Sequence, residues 1–489
     1  MTAFKKVLIA NRGEIAVRII RTLRALAIPN AVIFHPSEGD TLAVREADEA
    51  HPMGGESPVA AYLDIESILA ACRATGADAV HPGYGFLAES AAFAEALAGA
   101  GITFIGPRPE VIALMGDKVR AGRLLAGKGF PVLPAAYEEE EPATFLDRAG
   151  ALGYPLLVKA AAGGGGRGMR IVREPGELAS SAAAARGEAE RNFGDGRLYC
   201  ERYLERPRHV EVQVLGDHHG NLVHFWEREC SVQRRFQKIV EESPSPALED
   251  ALRARFCEAA LGIARAVEYT NAGTVEFILA EDGAFYFLEM NTRLQVEHPV
   301  TEEVTGFDLV AEQVRIAAGE PLGYGQGDVP CRGHAFECRI YAEEPEHDFA
   351  PATGKVLRLR PPAGPGVRFE SGITAGQTVS PAFDPLLAKV VARGKDRKEA
   401  LARARAALRE LVILGVATNA AYLERLLGHP AFAAGEVSTH FTTDHAADLA
   451  LPELDDEGLA PLLAAAALAS RRAGPAVPEP YASMGGWRN

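Results

Sequence analysis

The segment from Glu289 to Glu297 constrains the fold of this chain more than any other stretch. Side chains alternate between the two faces of an extended strand, so every second residue shares a face. The even positions of this segment are apolar or small, whereas every odd position can bind a ligand. An ordinary half-buried strand also alternates, but its exposed face more often carries lysine, threonine and serine. The segment therefore predicts a strand with one binding row, formed by Glu289, Asn291, Arg293, Gln295 and Glu297.

A hairpin is predicted to bring another carboxylate opposite this row. Asp282-Gly283 is a strong signal for a two-residue hairpin turn, and that turn places Glu276 directly across from Glu289. Two facing carboxylates destabilise a sheet unless a cation lies between them. With the amide oxygen of Asn291 they offer the hard oxygen ligands that Mg²⁺ or Mn²⁺ prefers. The hairpin thus predicts a divalent metal site, and a longer or bulged loop would shift the register.

A glycine run from Gly163 to Gly168 lies between two predicted strands. It contains the pattern G-x-G-x-x-G, but a strand follows it, whereas a helix follows the loop of a dinucleotide-binding fold. No G-K-[ST] closes it, so it is not a P-loop. Glycines let backbone amides approach phosphates closely, and Lys159 at the end of the entering strand could neutralise phosphate oxygens. These features indicate a phosphate-binding flap; a plain surface hairpin is the alternative.

The first hundred residues alternate short apolar runs with helical patterns, which predicts a parallel sheet covered by helices. Further helices are predicted later in the chain, and the segment from about Arg471 onward, rich in proline and glycine, predicts a linker or disordered tail. The predicted N-terminal strands are Val7 to Ala10, Ala31 to Phe34, Ala79 to His81 and Ile102 to Ile105. The later helices are Pro175 to Glu190, Leu248 to Val267, Arg397 to Leu411 and Leu459 to Ala469.

Size and composition exclude several classes of protein. A chain of 489 residues is long enough for two to four packed units. A formal net charge of −15 disfavours non-specific nucleic-acid binding, which needs a cationic face. The six cysteines form no C-x-x-C pair and do not suggest a disulfide framework, so a reducing compartment, the cytoplasm, is expected. No run approaches 18 uncharged apolar residues, so no membrane span is predicted.

Three clusters of basic residues lie outside the hairpin. Each by itself is typical of surface charge. Together with a metal site and a phosphate-binding flap, they predict a pocket for small anions. The clusters are Arg234, Arg235 and Lys238; Arg208 beside His209; and Arg339.

Six motifs follow one another along the chain: His81 to Gly85, Met115 to Lys118, Lys159 with Gly163 to Gly168, Arg208 to Glu211, Cys230 to Arg235, and Glu289 to Pro299. Together they resemble the biotin carboxylases, a family of ATP-grasp enzymes, over about residues 4 to 445. The run from Glu289 to Pro299 is highly specific to that family, whereas the glycine run is shared by a wider group of ATP-grasp enzymes.

The resemblance implies an ATP-grasp fold of mixed α/β and α+β class. An N-terminal α/β domain with a parallel sheet would occupy residues 1–115, and a linker with the glycine-flap lid domain would occupy residues 116–204. The catalytic domain and a mixed α+β C-terminal region would occupy residues 205–446. A helix and a flexible tail would follow over residues 447–489.

The resemblance also implies a role for each site residue, with Glu297 as the general base. ATP would be held by Lys118, Lys159, Gly165, Gly166, Glu201, Arg202, Tyr203, Leu204, His209, Gln233 and Phe236, and by Glu276 and Glu289. Two Mg²⁺ or Mn²⁺ ions would bind Glu276, Glu289 and Asn291. Bicarbonate would bind Lys238, Arg293, Gln295, Val296 and Arg339, and biotin would bind Tyr84 and Arg339. The catalytic set would be Arg293, Glu297, Lys238 and Arg339.

The implied reaction is ATP- and bicarbonate-dependent carboxylation of biotin through carboxyphosphate, the first half-reaction of a biotin-dependent carboxylase. The implied partners are a biotin carboxyl carrier protein or domain and a carboxyltransferase subunit, and the implied assembly is a homodimer or a larger complex. No methionine precedes a lysine, so the Met-Lys-Met biotinylation signal is absent. We therefore expect a separate carrier to bring the biotin, or this chain to be part of a longer protein.

Two positions depart from the family pattern. Phe236 stands where a histidine or another polar residue is expected, although its ring could pack against the nucleotide. Tyr341 stands where stand-alone carboxylase subunits often carry asparagine. This tyrosine and the tail from Tyr481 to Asn489 are closer to the α subunits of biotin-dependent acyl-CoA carboxylases.

Two other functions fit part of the pattern. A ligase that joins a carboxylate to an amine would share the flap and the metal carboxylates, but it would not need Lys238 and Glu297 arranged for bicarbonate. A nucleotide-binding subunit that has lost turnover is supported by Phe236 alone, and intact Glu297 and Arg339 oppose it. A biotin-dependent ATPase assay distinguishes these two hypotheses from each other and from biotin carboxylase.

Overall fold

Short apolar runs near the N-terminus form a five-stranded parallel sheet in the computed structural model, which describes residues 4–161, 169–451 and 456–471. The central strand is wholly buried because both of its faces are covered by helices. The predicted parallel sheet is confirmed, and Glu49–Pro52 adds an edge strand that the sequence did not indicate. In spatial order the strands are Glu49–Pro52, Asn30–Phe34, Val7–Ile9, Ala79–His81 and Thr103–Phe104.

Five helices of this region connect the parallel strands, and a sixth, Pro109–Gly116, follows the last strand. The first of them begins at Gly13, with Glu14 in its first turn, where a carboxylate is favoured by the helix dipole. The helices are Gly13–Ala25, Leu42–Glu46, Pro58–Ala61, Ile65–Thr75, Ala91–Gly99 and Pro109–Gly116.

A four-stranded antiparallel sheet and three helices form the lid region. Two of its strands flank the glycine run, as predicted. The run itself, with the predicted ATP contacts Gly165 and Gly166, lies outside the described residues. In spatial order the strands are Ala135–Tyr137, Leu198–Arg202, Leu156–Ala160 and Arg170–Val172. The helices are Lys118–Gly127, Phe145–Ala151 and Leu178–Phe193.

An eight-stranded antiparallel sheet forms the centre of the molecule and carries most of the predicted site. Leu215 and Phe225 of this sheet share an apolar core with Val7 and Ile9 of the parallel sheet. In spatial order the strands are Phe285–Asn291, Asn271–Leu279, Arg208–Gly216, Leu222–Arg234, Gln237–Ser243, His334–Tyr341, Leu386–Gly394 and Val367–Ser371.

Glu276 faces Glu289 as predicted, but the predicted route to that register is wrong. The turn is not a two-residue loop at Asp282-Gly283: the Ala280 amide donates to the Ala284 carbonyl at 2.8 Å, which leaves three loop residues between them. Gly283 takes the left-handed conformation that such loops need, with φ +81. A bulge after Glu276 then offsets the longer loop and restores the pairing.

The extended row predicted from Glu289 to Glu297 is also only partly correct. The strand ends at Asn291, and a helix begins at His298 with Pro299 in its first turn. Proline favours the first turn of a helix, where its missing N–H is not needed, and this fixes where the helix starts. Glu297 therefore sits at the helix N-terminus on an irregular turn, and not on a strand.

Further helices and three two-stranded ribbons cover the central sheet. The predicted helix from Arg397 is confirmed. The helices are Asp250–Ala266, His298–Thr305, Leu309–Ala317, Arg397–Glu410, Ala420–Gly428, Pro430–Ala434, Phe441–Asp444 and Ala446–Leu449. The ribbons pair Glu343–Glu344 with Ala350–Pro351, Gly354–Lys355 with Thr378–Val379, and Arg358–Arg360 with Val412–Leu414.

In the C-terminal unit, residues 450–489, the described residues form the helix Asp456–Arg471, with Pro461 inside it. The predicted tail beyond this helix lies outside the described residues. None of the helices over residues 4–161, 169–451 and 456–471 has both the length and the apolar character needed to cross a membrane.

Candidate active site

One face of the eight-stranded sheet carries a row of ionisable residues across four neighbouring strands. Glu289 pairs with Glu276, Glu276 pairs with Glu211, and Glu211 pairs with Arg228. Directly opposite residues in an antiparallel sheet point to the same face. Three carboxylates therefore lie side by side, and Glu211 and Glu276 are buried. Buried carboxylates stay ionised only with cations close by.

Lys238 supplies the central cation. Its Nζ lies 2.6 Å from Glu211 Oε2, 3.0 Å from Glu276 Oε1 and 2.7 Å from Glu297 Oε1. Burial disfavours the charged lysine, but the three carboxylates outweigh burial and raise its pKa well above the ordinary value. Lys238 is therefore held as a cation in contact with the predicted base.

Arg339 holds the second oxygen of Glu297. Its Nη2 lies 3.0 Å from Glu297 Oε2, and the same guanidinium lies 2.5 Å from Glu241 Oε1. Burial by itself would raise the pKa of Glu297, but Lys238 and Arg339 outweigh it and hold that pKa below the ordinary range. Both oxygens of Glu297 are thus occupied by cations that a small anion could take over.

Glu276 accepts hydrogen bonds from several sides. His209 Nε2 lies 2.6 Å from its Oε2, and its Oε1 accepts from Asn291 Nδ2 at 2.7 Å and from Gln295 Nε2 at 2.8 Å. Burial would raise its pKa, but Lys238 and these neighbours hold the pKa well below the ordinary value. Glu276 therefore remains a carboxylate in the buried row.

Arg293 is held at the edge of the row. Its Nε donates to Glu89 Oε2 at 2.8 Å, and its Nη atoms donate to Asn291 Oδ1 at 2.9 Å and to Gln295 Oε1 at 3.1 Å. This fork brings three predicted site residues together although the strand ends at Asn291.

The lid side of the site carries the predicted nucleotide contacts. Lys118 Nζ lies 2.6 Å from Glu289 Oε2, and Lys159 forms an ion pair with Glu201. Glu201 lies near the end of the strand Leu198–Arg202, and the Tyr203 amide donates to the Pro155 carbonyl at 3.0 Å. The predicted hinge, Glu201 to Leu204, therefore leaves the lid sheet at this point. Gln233 reaches the site through His209, whose Nδ1 lies 2.8 Å from Gln233 Nε2.

A cavity of about 620 Å³ lies over this row, between the two large sheets. Its walls include Tyr84 from the parallel-sheet side, and its rim includes Phe236, whose side chain is 65% exposed. Of the predicted residues, those lining the cavity are Tyr84, His209, Phe236, Lys238, Glu276, Glu289, Asn291, Arg293, Gln295, Val296, Glu297 and Arg339.

The donor set fits the predicted divalent cations. Glu276 and Glu289 face each other across the hairpin and offer carboxylate oxygens, the ligands Mg²⁺ and Mn²⁺ prefer. Asn291 turns its Nδ2 toward Glu276 and its Oδ1 toward Arg293. Its amide must rotate before its oxygen can join a carboxylate-bound ion.

Three family models match consecutive parts of the chain: the N-terminal domain of biotin carboxylase over residues 3–112, the ATP-binding domain of carbamoyl-phosphate synthase L chain over residues 117–324, and the C-terminal domain of biotin carboxylase over residues 337–444. The biotin carboxylase of Halalkalibacterium halodurans is 49% identical over 445 residues, which are 90% of this chain and 98% of that protein. The chain belongs to the biotin carboxylase family.

Two further relatives differ in how much of their own length this chain covers. The α subunit of methylcrotonoyl-CoA carboxylase from Arabidopsis thaliana is 48% identical over 91% of this chain, which spans 61% of that subunit. The biotin carboxylase domain of 2-oxoglutarate carboxylase from Hydrogenobacter thermophilus, solved as a dimer with MgADP, ADP and bicarbonate, is 44% identical. Its TM-score is 0.88, with 92% of this chain and 99% of that domain covered. The predicted family and ATP-grasp fold are confirmed.

Several residues of this biotin carboxylase site were missed in the sequence. Glu211 had a signal, since it lies two residues after His209 and so shares its face. Glu89 and Glu14 had none, because single glutamates outside a motif resemble surface charge. Lys389 lies on a mostly apolar strand, where a charged residue suggests an exposed position, and Glu241 lies among polar residues of its strand, where nothing distinguishes it from surface charge.

Proposed function

We propose that this cavity carboxylates biotin with ATP and bicarbonate, and that Glu297 is the general base. The observation that carries the proposal is the contact of Lys238 and Arg339 with the two oxygens of Glu297. Cations on both sides of one carboxylate form a cradle for a small planar anion, because arginine can bind such an anion with two parallel hydrogen bonds. The Hydrogenobacter thermophilus relative was solved with bicarbonate, which supports this choice of anion.

The electrostatics of Glu297 explain how binding could switch on the base. A general base works best with a pKa near the working pH. While Lys238 and Arg339 contact Glu297 directly, its pKa is held low and it is a weak base. An entering bicarbonate competes for these cations and brings its own negative charge. The pKa of Glu297 then rises, so the substrate itself prepares the proton acceptor.

The proposed reaction moves one proton and one phosphoryl group before biotin reacts. Bicarbonate gives its proton to Glu297, and its oxygen attacks the γ-phosphorus of ATP while the bond to ADP breaks. The carboxyphosphate formed splits into CO₂ and phosphate. Phosphate takes the N1′ proton of biotin, and N1′ then forms its bond with CO₂. Closure over the cavity protects carboxyphosphate from water.

Positioning and charge neutralisation supply most of the catalysis in phosphoryl transfer. We assign Lys118 and Lys159 to the ATP phosphates, because both lysines lie on the lid side of the site and each is held by a glutamate, Glu289 of the central sheet and Glu201 of the lid. His209 and Gln233, and the hinge from Glu201 to Leu204, complete the proposed nucleotide site, and Phe236 lies at the cavity rim. Glu276, Glu289 and Asn291 would hold the divalent ions, which supply positive charge next to the transferred phosphoryl group.

Biotin is proposed to enter from the side of the cavity that carries Tyr84. Arg339 lines the same cavity and contacts the base, so its guanidinium can stabilise negative charge on the ureido oxygen after bicarbonate has reacted. Arg293 and Gln295 hold bicarbonate in this proposal, together with the amide of Val296.

The relatives belong to biotin-dependent carboxylases, and carrier and carboxyltransferase partners follow from that membership. We propose that biotin comes on a carrier protein or domain, and that the chain works as a homodimer or in a larger complex. All six cysteines are free thiols, which supports a reducing compartment such as the cytoplasm.

The test is ATP cleavage by the purified chain with Mg²⁺, with and without bicarbonate, and with free or carrier-borne biotin. We expect ATP cleavage that requires bicarbonate and rises when biotin is added, with carboxybiotin formed. ATP cleavage that ignores both bicarbonate and biotin would point to the carboxylate–amine ligase reading. Tight MgATP binding without any turnover would point to a binding subunit.

A further inference from the structure

A lysine is completely buried under the floor of the cavity. Lys389, in the strand Leu386–Gly394, pairs in register with Arg339 and has no exposed surface. Its Nζ donates to the Val296 carbonyl at 2.8 Å and lies 3.2 Å from Glu14 Oε1. Burying an ammonium group costs several kcal/mol unless partners compensate. An apolar residue at this position would avoid the free-energy cost of burying a charge. The groups that Lys389 contacts therefore explain why a lysine is present.

The carbonyl that Lys389 holds belongs to the peptide bond between Val296 and Glu297. This irregular turn lies between the end of the strand at Asn291 and the helix that begins at His298. Its conformation is therefore set neither by a sheet ladder nor by a complete helical turn. The hydrogen bond from Lys389 fixes the peptide plane directly before the proposed base.

Glu14 connects the same lysine to the biotin side. The Tyr84 hydroxyl donates to Glu14 Oε1, the oxygen that lies near Lys389 Nζ. Glu14 and Tyr84 both line the cavity, whereas Glu14 itself is carried by the first turn of the helix Gly13–Ala25. One buried carboxylate thus joins a residue of the parallel-sheet region to a lysine of the central sheet.

We propose that Lys389 and Glu14 are positioning residues for carboxylation, and the proposal rests on the proposed function above. Together they tie Tyr84, on the biotin side, to the turn that carries Val296 and Glu297, on the bicarbonate side. Each partner is supplied by a different part of the fold, so the pair sets the separation of the two substrate sites. Misplacement of reacting groups by about 1 Å can lower a rate about 10²-fold.

The test uses Lys389→Met, which keeps most of the length of the side chain and removes its charge and its donors, and Lys389→Arg, which keeps the charge and the donors. We expect Lys389→Met to lower kcat for biotin carboxylation about 10- to 100-fold, the range seen when a residue that supports a metal ligand is lost. The KM for ATP should stay within about twofold, because Lys389 lies away from the nucleotide contacts. Bicarbonate-dependent ATP cleavage without biotin should fall less, so more ATP is cleaved per biotin carboxylated. Lys389→Arg should bring the amount of ATP cleaved per biotin carboxylated part of the way back to the wild-type value.

Arg397→Met is the matched control. Arg397, at the start of the helix Arg397–Glu410, lies 2.7 Å from the buried carboxylate of Glu242 in the eight-stranded sheet, away from the cavity. Arg397→Met should lower the melting temperature. It should leave unchanged both kcat and the coupling ratio, which is the amount of ATP cleaved per biotin carboxylated. Glu14→Gln, which keeps its size, provides the second variant if Lys389→Met does not fold, and it should raise the same ratio.

Three outcomes are decisive in different ways. Wild-type kcat and coupling in folded Lys389→Met or in Glu14→Gln would overturn the positioning role while leaving the proposed function standing. Parallel loss of ATP binding and stability, with an unchanged coupling ratio, would reduce both residues to structural supports and equally overturn it. Absence of biotin-stimulated ATP cleavage in the unsubstituted chain would instead overturn the proposed function.

Discussion

The five-stranded parallel sheet and the eight-stranded antiparallel sheet are both deeply buried, but their strands carry different residues. The central strand of the first is Val7, Leu8 and Ile9, with no polar side chain. The second buries charged residues on most of its strands, among them Glu211, Arg228, Glu241, Glu276, Glu337, Arg339 and Lys389. Apolar burial stabilises a sheet directly, at about 25 cal/mol per Å² of buried apolar area. A buried charge is stable only in so far as its partners offset the loss of water.

The difference shows which sheet is shaped by stability and which by chemistry. Apolar residues of similar volume often replace a buried ion pair with no loss of stability. Stability alone therefore does not explain the charges of the eight-stranded sheet, and those that line the cavity are the ones proposed to bind ions and substrates. Mutations in the two sheets should consequently separate activity from stability.

The largest effect is expected at the proposed base. Glu297→Gln keeps the size of the side chain but cannot accept a proton, so carboxylation should fall by about 10²- to 10⁴-fold. MgATP should still bind, because the nucleotide contacts lie on other residues. Steady-state carboxylation and equilibrium MgATP binding measure the two properties separately. The control is Glu303→Gln on the following helix, which should keep full activity; unchanged turnover in Glu297→Gln would remove the assignment of the base.

The next largest effect is expected from a substitution in the buried row of ionisable residues that leaves the residues proposed to contact substrates unchanged. Arg228 has no exposed surface and contacts Glu211 at 2.5 Å, Gln213 at 2.9 Å and Thr274 at 3.0 Å. Arg228→Met leaves Glu211 with Lys238 alone. Loss of one member of a buried pair costs about 3–5 kcal/mol, and the remaining partner places the expected loss near 3 kcal/mol. Chemical denaturation gives the value, and adding Glu211→Gln should recover part of it; a further loss in the double variant would contradict the pairing argument.

A smaller loss is expected from the apolar sheet. Leu8 is completely buried in a cluster with Ala31, Ile33 and Val80. Leu8→Ala removes apolar contacts and leaves a cavity, and such changes cost about 2–5 kcal/mol; we expect about 2 kcal/mol, since small neighbours can close around it. Because the strand carries no charge of the site, kcat should stay within about twofold when the variant is folded. A fall in kcat much larger than the loss of folded protein would show that this sheet also shapes the chemistry.

The same contrast explains how much could be predicted from the sequence. The strands of the parallel sheet were accessible because apolar runs are local signals, and Asp282-Gly283 located the hairpin. The pairing of Glu276 with Glu289 came out as predicted only because a bulge offset the longer loop. The contact between Arg339 and Glu241 could not be predicted from the sequence. Pairing of Gln233 with Lys238 and of Val232 with Val240 leaves Ile239 as an extra residue. This bulge reverses the alternation of faces after Lys238, and a bulge has no fixed sequence signature.

Contacts between distant segments were the other limit. Glu14 and Lys389 are separated by most of the chain, and Glu89 meets Arg293 across 204 positions of sequence. Neither the spacing nor the residue type of a lone glutamate reveals such a partner. The family motifs identified the residues proposed to touch substrates, whereas the residues that hold those motifs in place became visible only in the fold.

The smallest effect uses pH to separate the sheets. His81 ends a strand of the parallel sheet, and burial lowers its pKa to about 3. An unfolded histidine binds a proton near pH 6.5, so the contribution of His81 is complete above that pH and is lost as the pH falls toward 3. Burial raises the pKa of Glu241 in the eight-stranded sheet to about 7, and Arg339 offsets this only in part. The contribution of Glu241 is therefore complete below its unfolded pKa, near 4.5, and is lost as the pH rises through about 7.

Melting temperatures between pH 5 and pH 8 test these opposite slopes. One titrating group changes the free energy of unfolding by at most about 1.4 kcal/mol per pH unit. His81→Asn keeps an oxygen that can accept from the Gly83 amide, and it should weaken the loss of stability below pH 6.5. Glu241→Gln should instead weaken the loss between pH 5 and pH 7. If both variants changed the same limb of the profile, the two sheets would share one titrating unit, and the division between an apolar and a charged sheet would not extend to their response to protons.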